Sequence, residues 1–263
     1  MFYKSHVLFY LGLPKSGSTS LFKYIQSQHK AHELDIDSVI NTIYRAKCMQ
    51  EERRIETFMH FLNFRKKNYN LAFDICTMYS FAIRNVLLAC PNDKYLCILR
   101  SPIEWAYSFI RYSQIVFLER KSFYNSKFWQ LVADNINPSN TIRMENNIEA
   151  IADTYNDLLK IWVNHTSEIL KYMLCYNSLL LKLDKISKNL NSLNTFLGTP
   201  NINCSDIFPC ENTAKSLTTM NNKSSSEKSV FLGQISTILS GHSAFDLYHS
   251  IPSIVFGSQN KLS

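Results

Sequence analysis

Gly12, Pro14, Lys15, Ser16, Gly17, Ser18, Thr19 and Ser20 place one lysine among glycines and hydroxyls directly after an apolar run, Val7 to Leu11. Backbone N–H groups of such a loop, with the positive end of a following helix, form a cavity for a phosphate-like anion. Further along, Arg100 and Ser108 stand eight residues apart in Leu-Arg-Ser-Pro-Ile-Glu-Trp-Ala-Tyr-Ser-Phe. Arginine offers a forked, permanently charged donor to phosphate oxygens, and serine adds a neutral one. Two side chains are candidates for accepting a proton. Asp74 closes an expected strand, where open α/β sheets place their ligands, and His60 would serve if the helices around it fold over the site.

Alternating strands and helices must position these groups. Val7 to Leu11 reads as a buried strand, and the spacing of Leu21, Phe22 and Ile25 predicts a helix from Ser18 to about His29. His29 and His32 at its end read as surface residues. Residues 35 to 68 read as a helical insertion, with Ile40, Ile43 and Tyr44, then Ile55, Phe58, Met59 and Leu62, as apolar faces. Asn70 to Ile75 is a second buried strand, followed by a helix from about Tyr79 to Cys90. Lys94 to Leu99 is the clearest strand, and Pro102 suits the first turn of the next helix. A helix from Glu145 to about Tyr176, a strand from Leu179 to Leu183 and a helix from Asn191 to Leu197 complete the regular part.

Gly12 and Gly17 are spaced as in a P-loop, yet Ser18 stands where the nucleotide-hydrolysing version needs lysine. With its lysine inside the loop, Pro-Lys-Ser-Gly-Ser-Thr resembles the 5′-phosphosulfate-binding loop of sulfotransferases that use 3′-phosphoadenosine 5′-phosphosulfate (PAPS). The stretch around Arg100 and Ser108 resembles that family's 3′-phosphate signature, and Phe196-Leu197-Gly198 with Pro200 resembles its late core.

The resemblance implies an α/β three-layer sandwich with a mostly parallel central sheet flanked by helices, the P-loop-like sulfotransferase fold, in a single domain. It implies sulfuryl transfer to a hydroxyl or amine of a small-molecule acceptor, with adenosine 3′,5′-bisphosphate (PAP) as the product and no metal in the scheme. Lys15 would contact the oxygen between phosphate and sulfate, Pro14 through Ser20 would cradle the 5′ end, and Arg100 and Ser108 would hold the 3′-phosphate. Lys215, with Lys223 and Asn212 as further candidates, would close over the 3′-phosphate from a flexible loop around residues 212–230. Asp74 with Tyr79 is similar to a glutamate and tyrosine pair used by some members. The alternatives are a P-loop kinase or NTPase, with Asp74 holding magnesium, and a catalytically inactive nucleotide-binding relative.

The net charge of +7 suits an anionic partner such as a multiply charged nucleotide. Arg53-Arg54 and Arg65-Lys66-Lys67 are the short basic clusters, without the aromatic interleaving of a single-strand nucleic-acid binder, so nucleic acid is not expected. Seven scattered cysteines with no Cys-x-x-Cys suggest neither a disulfide framework nor a zinc site, and a reducing cytoplasm is the expected location. The apolar start lacks a cleavage-site pattern, and no run reaches the roughly 20 apolar residues of a membrane span. The aromatic cluster at Phe123, Tyr124, Phe128 and Trp129 is read either as a flap over the acceptor or as core. The apolar stretch from Phe245 to Phe256 packs either on the core or on a second copy in a homodimer.

Overall fold

The computed structural model describes residues 6–119, 131, 148–198 and 225–257. They fall into two compact units: residues up to Leu99 with 165–198 and 252–257, and residues 100–164 with 225–251.

The first unit is built on six strands, β1 (Leu8–Tyr10), β2 (Lys30–His32), β3 (Phe73–Ile75), β4 (Lys94–Leu99), β5 (Ser178–Lys182) and β6 (Ile254–Phe256), in the order β2-β3-β1-β4-β5-β6. The first five are parallel, and β6 closes the far edge antiparallel to β5. Side chains alternate between the two faces of a strand. On one face Leu8, Tyr10, Phe73, Ile75, Leu96 and Ile98 pack with Leu21 and Tyr24 of α1 (Ser18–Tyr24) and with Leu193 and Phe196 of α7 (Leu190–Leu197). The Tyr24 hydroxyl donates to Asn194 Oδ1 at 2.6 Å, tying those two helices together.

On the opposite face, the Phe9 ring meets Tyr79 edge-on at 5.6 Å and stacks on Tyr95 at 6.2 Å. Tyr95 donates from its hydroxyl to Cys90 O, and Lys66 Nζ lies 5.5 Å over Phe9. This face is therefore covered by α3 (Glu51–Asn68) and by the segment around α4 (Ile83–Ala89). Helices on both faces explain why the central strands β1 and β4 are near-continuous apolar runs rather than alternating. The fold class is thus the expected one, a mixed α/β architecture with a mostly parallel sheet flanked by helices.

The connections depart from the sequence reading in two places. Helix α1 ends at Tyr24, five residues earlier than expected, because Lys30 folds back and its amine donates to Phe22 O at 2.6 Å and also to Ile25 O. Those carbonyls gain a side-chain partner in place of another turn of helix. Lys30 then opens β2, a strand the sequence did not reveal. The 35–68 stretch holds α2 (Ile36–Lys47) and α3, and the 79–90 stretch becomes a 3₁₀ segment, Thr77–Phe81, followed by α4.

The second unit is helical among the described residues. It contains α5 (Pro102–Glu119), the first part of α6 (Ile148–Tyr172), α8 (Ser225–Ile238) and α9 (Ser243–Ser250). Trp105 packs on Phe109 at 5.6 Å, Phe231 is met by both Tyr107 and Tyr155 at 6.2 Å, and Trp162 meets Tyr248 at 6.0 Å. Pro102 begins α5 as expected. No helix among the described residues is long and apolar enough to cross a membrane. The aromatic cluster at 123–129 lies outside the described residues.

Candidate active site

Strand order marks a candidate site within the first unit. The connection from β1 runs to β2 on one side of the sheet, whereas β4 leads to β5 on the other. Ligands of open α/β sheets bind outside the carboxyl ends of the strands at such a reversal. The loop from Leu11 to Gly17 leaves β1 at that point.

A chain of hydrogen bonds fixes the loop's shape. Ser16 Oγ donates to Leu13 O at 2.5 Å, so the Tyr10 hydroxyl, 2.8 Å away, donates to Ser16 Oγ. Burial pushes the Tyr10 phenol well above its ordinary range and keeps it a neutral donor. Gly12 is demanded by this network, since a Cβ there would press into the Tyr10 ring and come within 2.8 Å of Ser16 Oγ. At the loop's entrance, His165 of α6 donates from Nε2 to Leu11 O at 2.8 Å. Burial pushes this imidazole down to about 4, while the bond to Leu11 acts in the opposite direction, so it is neutral.

Two left-handed residues then turn the chain into α1, Lys15 at φ 69° and Gly17 at φ 109°. Glycine adopts this region freely, but for lysine it costs about 1–2 kcal/mol. Lys15 is held there by its surroundings, half-buried among Pro14, Ser16 and Gly17, which are all buried. No side chain caps α1, whose first residues are the buried Ser18, the half-buried Thr19 and the buried Ser20. The expected residues from Pro14 to Ser20 thus form one continuous segment, the turn from Pro14 to Gly17 and the start of α1. Ser16 differs from its neighbours in that its hydroxyl proton is committed inside the loop.

Asp74 lies elsewhere. It is fully buried in the middle of β3, on the α3 face of the sheet, whereas the α1 face carries Ser18. Arg65 grips both carboxylate oxygens, Nε to Oδ2 at 2.9 Å and Nη2 to Oδ1 at 3.0 Å, and the Tyr79 hydroxyl donates to Oδ2 at 2.8 Å. The expected pairing of Asp74 with Tyr79 therefore exists as a hydrogen bond, within a buried ion pair that anchors α3. It does not bring a carboxylate to the loop. His60 sits on the exposed side of α3, its side chain 73% exposed and its Nε2 3.6 Å from Glu56 Oε1. Lys215 lies outside the described residues, as do Lys223 and Asn212.

In the second unit Arg100 precedes α5, and its Nη2 contacts Glu104 Oε2 at 3.1 Å. Trp162 Nε1 donates to Arg100 O at 3.1 Å and fixes the backbone there. Glu104 and Ser108 are one helical turn apart and share a face. Arg100 is thereby directed along the side of α5 that carries the half-buried Ser108. A cavity of about 430 Å³ opens beside Ser101 and Pro102, walled by Phe245 and Tyr248.

Three polar residues that the sequence did not single out for chemistry stand at the carboxyl ends of β2 and β3. Glu33 Oε1 accepts from the backbone N–H and hydroxyl of Thr77 at 3.1 and 2.7 Å. His32 Nε2 lies 3.4 Å from Ser18 Oγ. Recognising β2 would have revealed His32 and Glu33, since it turns residues past the end of an expected helix into ones at a strand's carboxyl end.

No protein-family model and no curated protein matches this sequence. Among solved structures, the chain is similar to a sulfotransferase from Alicyclobacillus acidocaldarius, with 14% identity over 90% of this chain and 94% of that one and a TM-score of 0.39. The fold described above rests on this chain's own strand order and packing.

Proposed function

We propose that the protein is a sulfotransferase that moves a sulfuryl group from PAPS to a hydroxyl or amine of a small acceptor by in-line displacement. The observation that carries this reading is Lys15, a non-glycine residue in the left-handed region, inside a buried, hydrogen-bonded loop at the sheet's reversal point. Backbone strain at a position that its neighbours over-determine is characteristic of functional sites. A lysine there supplies positive charge to the oxygen between phosphate and sulfate as the S–O bond breaks. Ser18, Thr19 and the uncapped N–H groups of α1 add neutral donors to the 5′-phosphate. Arg100 and Ser108, one following β4 and the other two turns into α5, are proposed to hold the 3′-phosphate. Ser18 in place of the P-loop lysine disfavours ATP hydrolysis.

The nucleotide tests the proposal directly. PAP without magnesium is expected to raise the melting temperature saturably, and PAPS with a metabolite extract to yield a product heavier by one sulfate. A response confined to ATP with magnesium would replace this reading with the kinase one.

A further inference from the structure

The proposed reaction needs a group to take the acceptor's proton, and three candidates among the described residues are engaged or turned away. Asp74 has both oxygens engaged on the opposite face, His60 is solvent-facing beside Glu56, and Glu33 is held by Thr77. His32 differs from all three. It is the last residue of β2, paired in register with Ile75, so its side chain falls on the α1 face. There its Nε2 lies 3.4 Å from Ser18 Oγ, and its ring packs 5.4 Å from Phe22. It is only half-buried.

We propose that His32 is the general base of the transfer, an inference that rests on the sulfotransferase reading above. As the acceptor hydroxyl attacks sulfur, its proton passes to the imidazole. The new S–O bond forms while the bond to the 5′-phosphate breaks, and that electron pair leaves with adenosine 3′,5′-bisphosphate.

The surroundings of His32 suit the role. Burial lowers its pKa from the usual 6.5, so at pH 7 the ring is in its neutral, proton-accepting form. Helix α1 presents Ser18 and Phe22, neither of which titrates near neutrality. The charged neighbours along the chain are Lys30, whose amine is tied to carbonyls of α1, and Glu33, tied to Thr77. Ser18 would hold the 5′-phosphate, one bridging oxygen from the sulfur, so a base beside Ser18 stands near the reacting group and needs no long-range movement to reach an attacking hydroxyl.

Two measurements on the full chain test the inference. NMR titration of the His32 ring should give a pKa below 6.5 that rises by about one unit when PAP is bound, because an anion at Ser18 favours the imidazolium. Slow turnover of PAPS to PAP and sulfate, with water as the acceptor, should fall on the acid side of that pKa. In His32→Gln this turnover should drop about 10²-fold and lose its acid limb, with PAP affinity kept. If PAP stabilises the protein yet leaves the His32 pKa unmoved, or if His32→Gln keeps full turnover, His32 is not the base and the sulfotransferase reading survives. If PAP does not bind at all, both fall together. The titration is read on the unaltered protein, so a variant that fails to fold does not remove the test.

Discussion

The loop after β1 and the start of α5 each present one cation, in opposite ways. Lys15 is placed by its backbone: a left-handed turn, two glycines with no room or no freedom for a side chain, and the Tyr10–Ser16–Leu13 bonds. Arg100 is placed by side chains, an ion pair one helical turn long to Glu104 and the indole of Trp162 on its carbonyl. The first arrangement is rigid before any ligand arrives, as stabilisation of a developing charge requires. The second contains a competitor, because a phosphate reaching Arg100 must contend with the Glu104 carboxylate. Chemistry would thus be assigned to the loop and nucleotide retention to the helix.

That division is sharpest in two alanine variants. Lys15→Ala should lower PAPS turnover by about 10²–10³-fold with little change in PAP affinity, as expected for a lost transition-state donor. Full retained activity would dismiss the loop lysine. Arg100→Ala should do the reverse, weakening PAP binding by about 2–4 kcal/mol in calorimetry, the usual cost of removing one partner from a charged hydrogen-bonded pair. Unchanged affinity would place the 3′-phosphate elsewhere.

A third test reads the rigidity of the loop's base. His165 is neutral and buried against Leu11, with a folded pKa of about 4 against 6.5 when unfolded. Its contribution is fully present above pH 6.5 and is lost as pH falls toward 4, by about 3 kcal/mol. Urea unfolding across that range should show the loss in the native protein and a flatter profile in His165→Gln. Equal slopes would mean that the fold does not keep this imidazole neutral. The smallest effect concerns the competitor: Glu104→Gln should tighten PAP binding by up to about 1 kcal/mol, the scale of a partly exposed pair. Weaker binding would show that Glu104 orients Arg100 rather than opposing the phosphate.

The sequence was most legible where periodicity and punctuation agreed. Lys94–Leu99 has the boundaries read from its apolar run, and the strand at Ser178–Lys182 lies one residue from its expected place. β2 was invisible because a three-residue strand with one buried side chain, Ala31, carries no period, and without it His32 looked like a helix end. Asp74 misled for a different reason. Its partner Arg65 sits in a basic cluster that reads as surface, although it follows Phe58 and Leu62 at helical spacing and is itself buried. An arginine continuing an apolar stripe was the available sign of a buried acid elsewhere.

Arg65 and Asp74 also constrain how this chain can diverge. Losing either one strands a charge in the interior, at about 3–5 kcal/mol, a large share of the stability of a typical domain. Exchanging both for apolar residues of similar bulk costs far less, leaving chiefly the Tyr79 hydroxyl and Leu34 carbonyl to find new partners. Descendants of this sequence should therefore keep the two residues or change both, with single replacements disfavoured as intermediates.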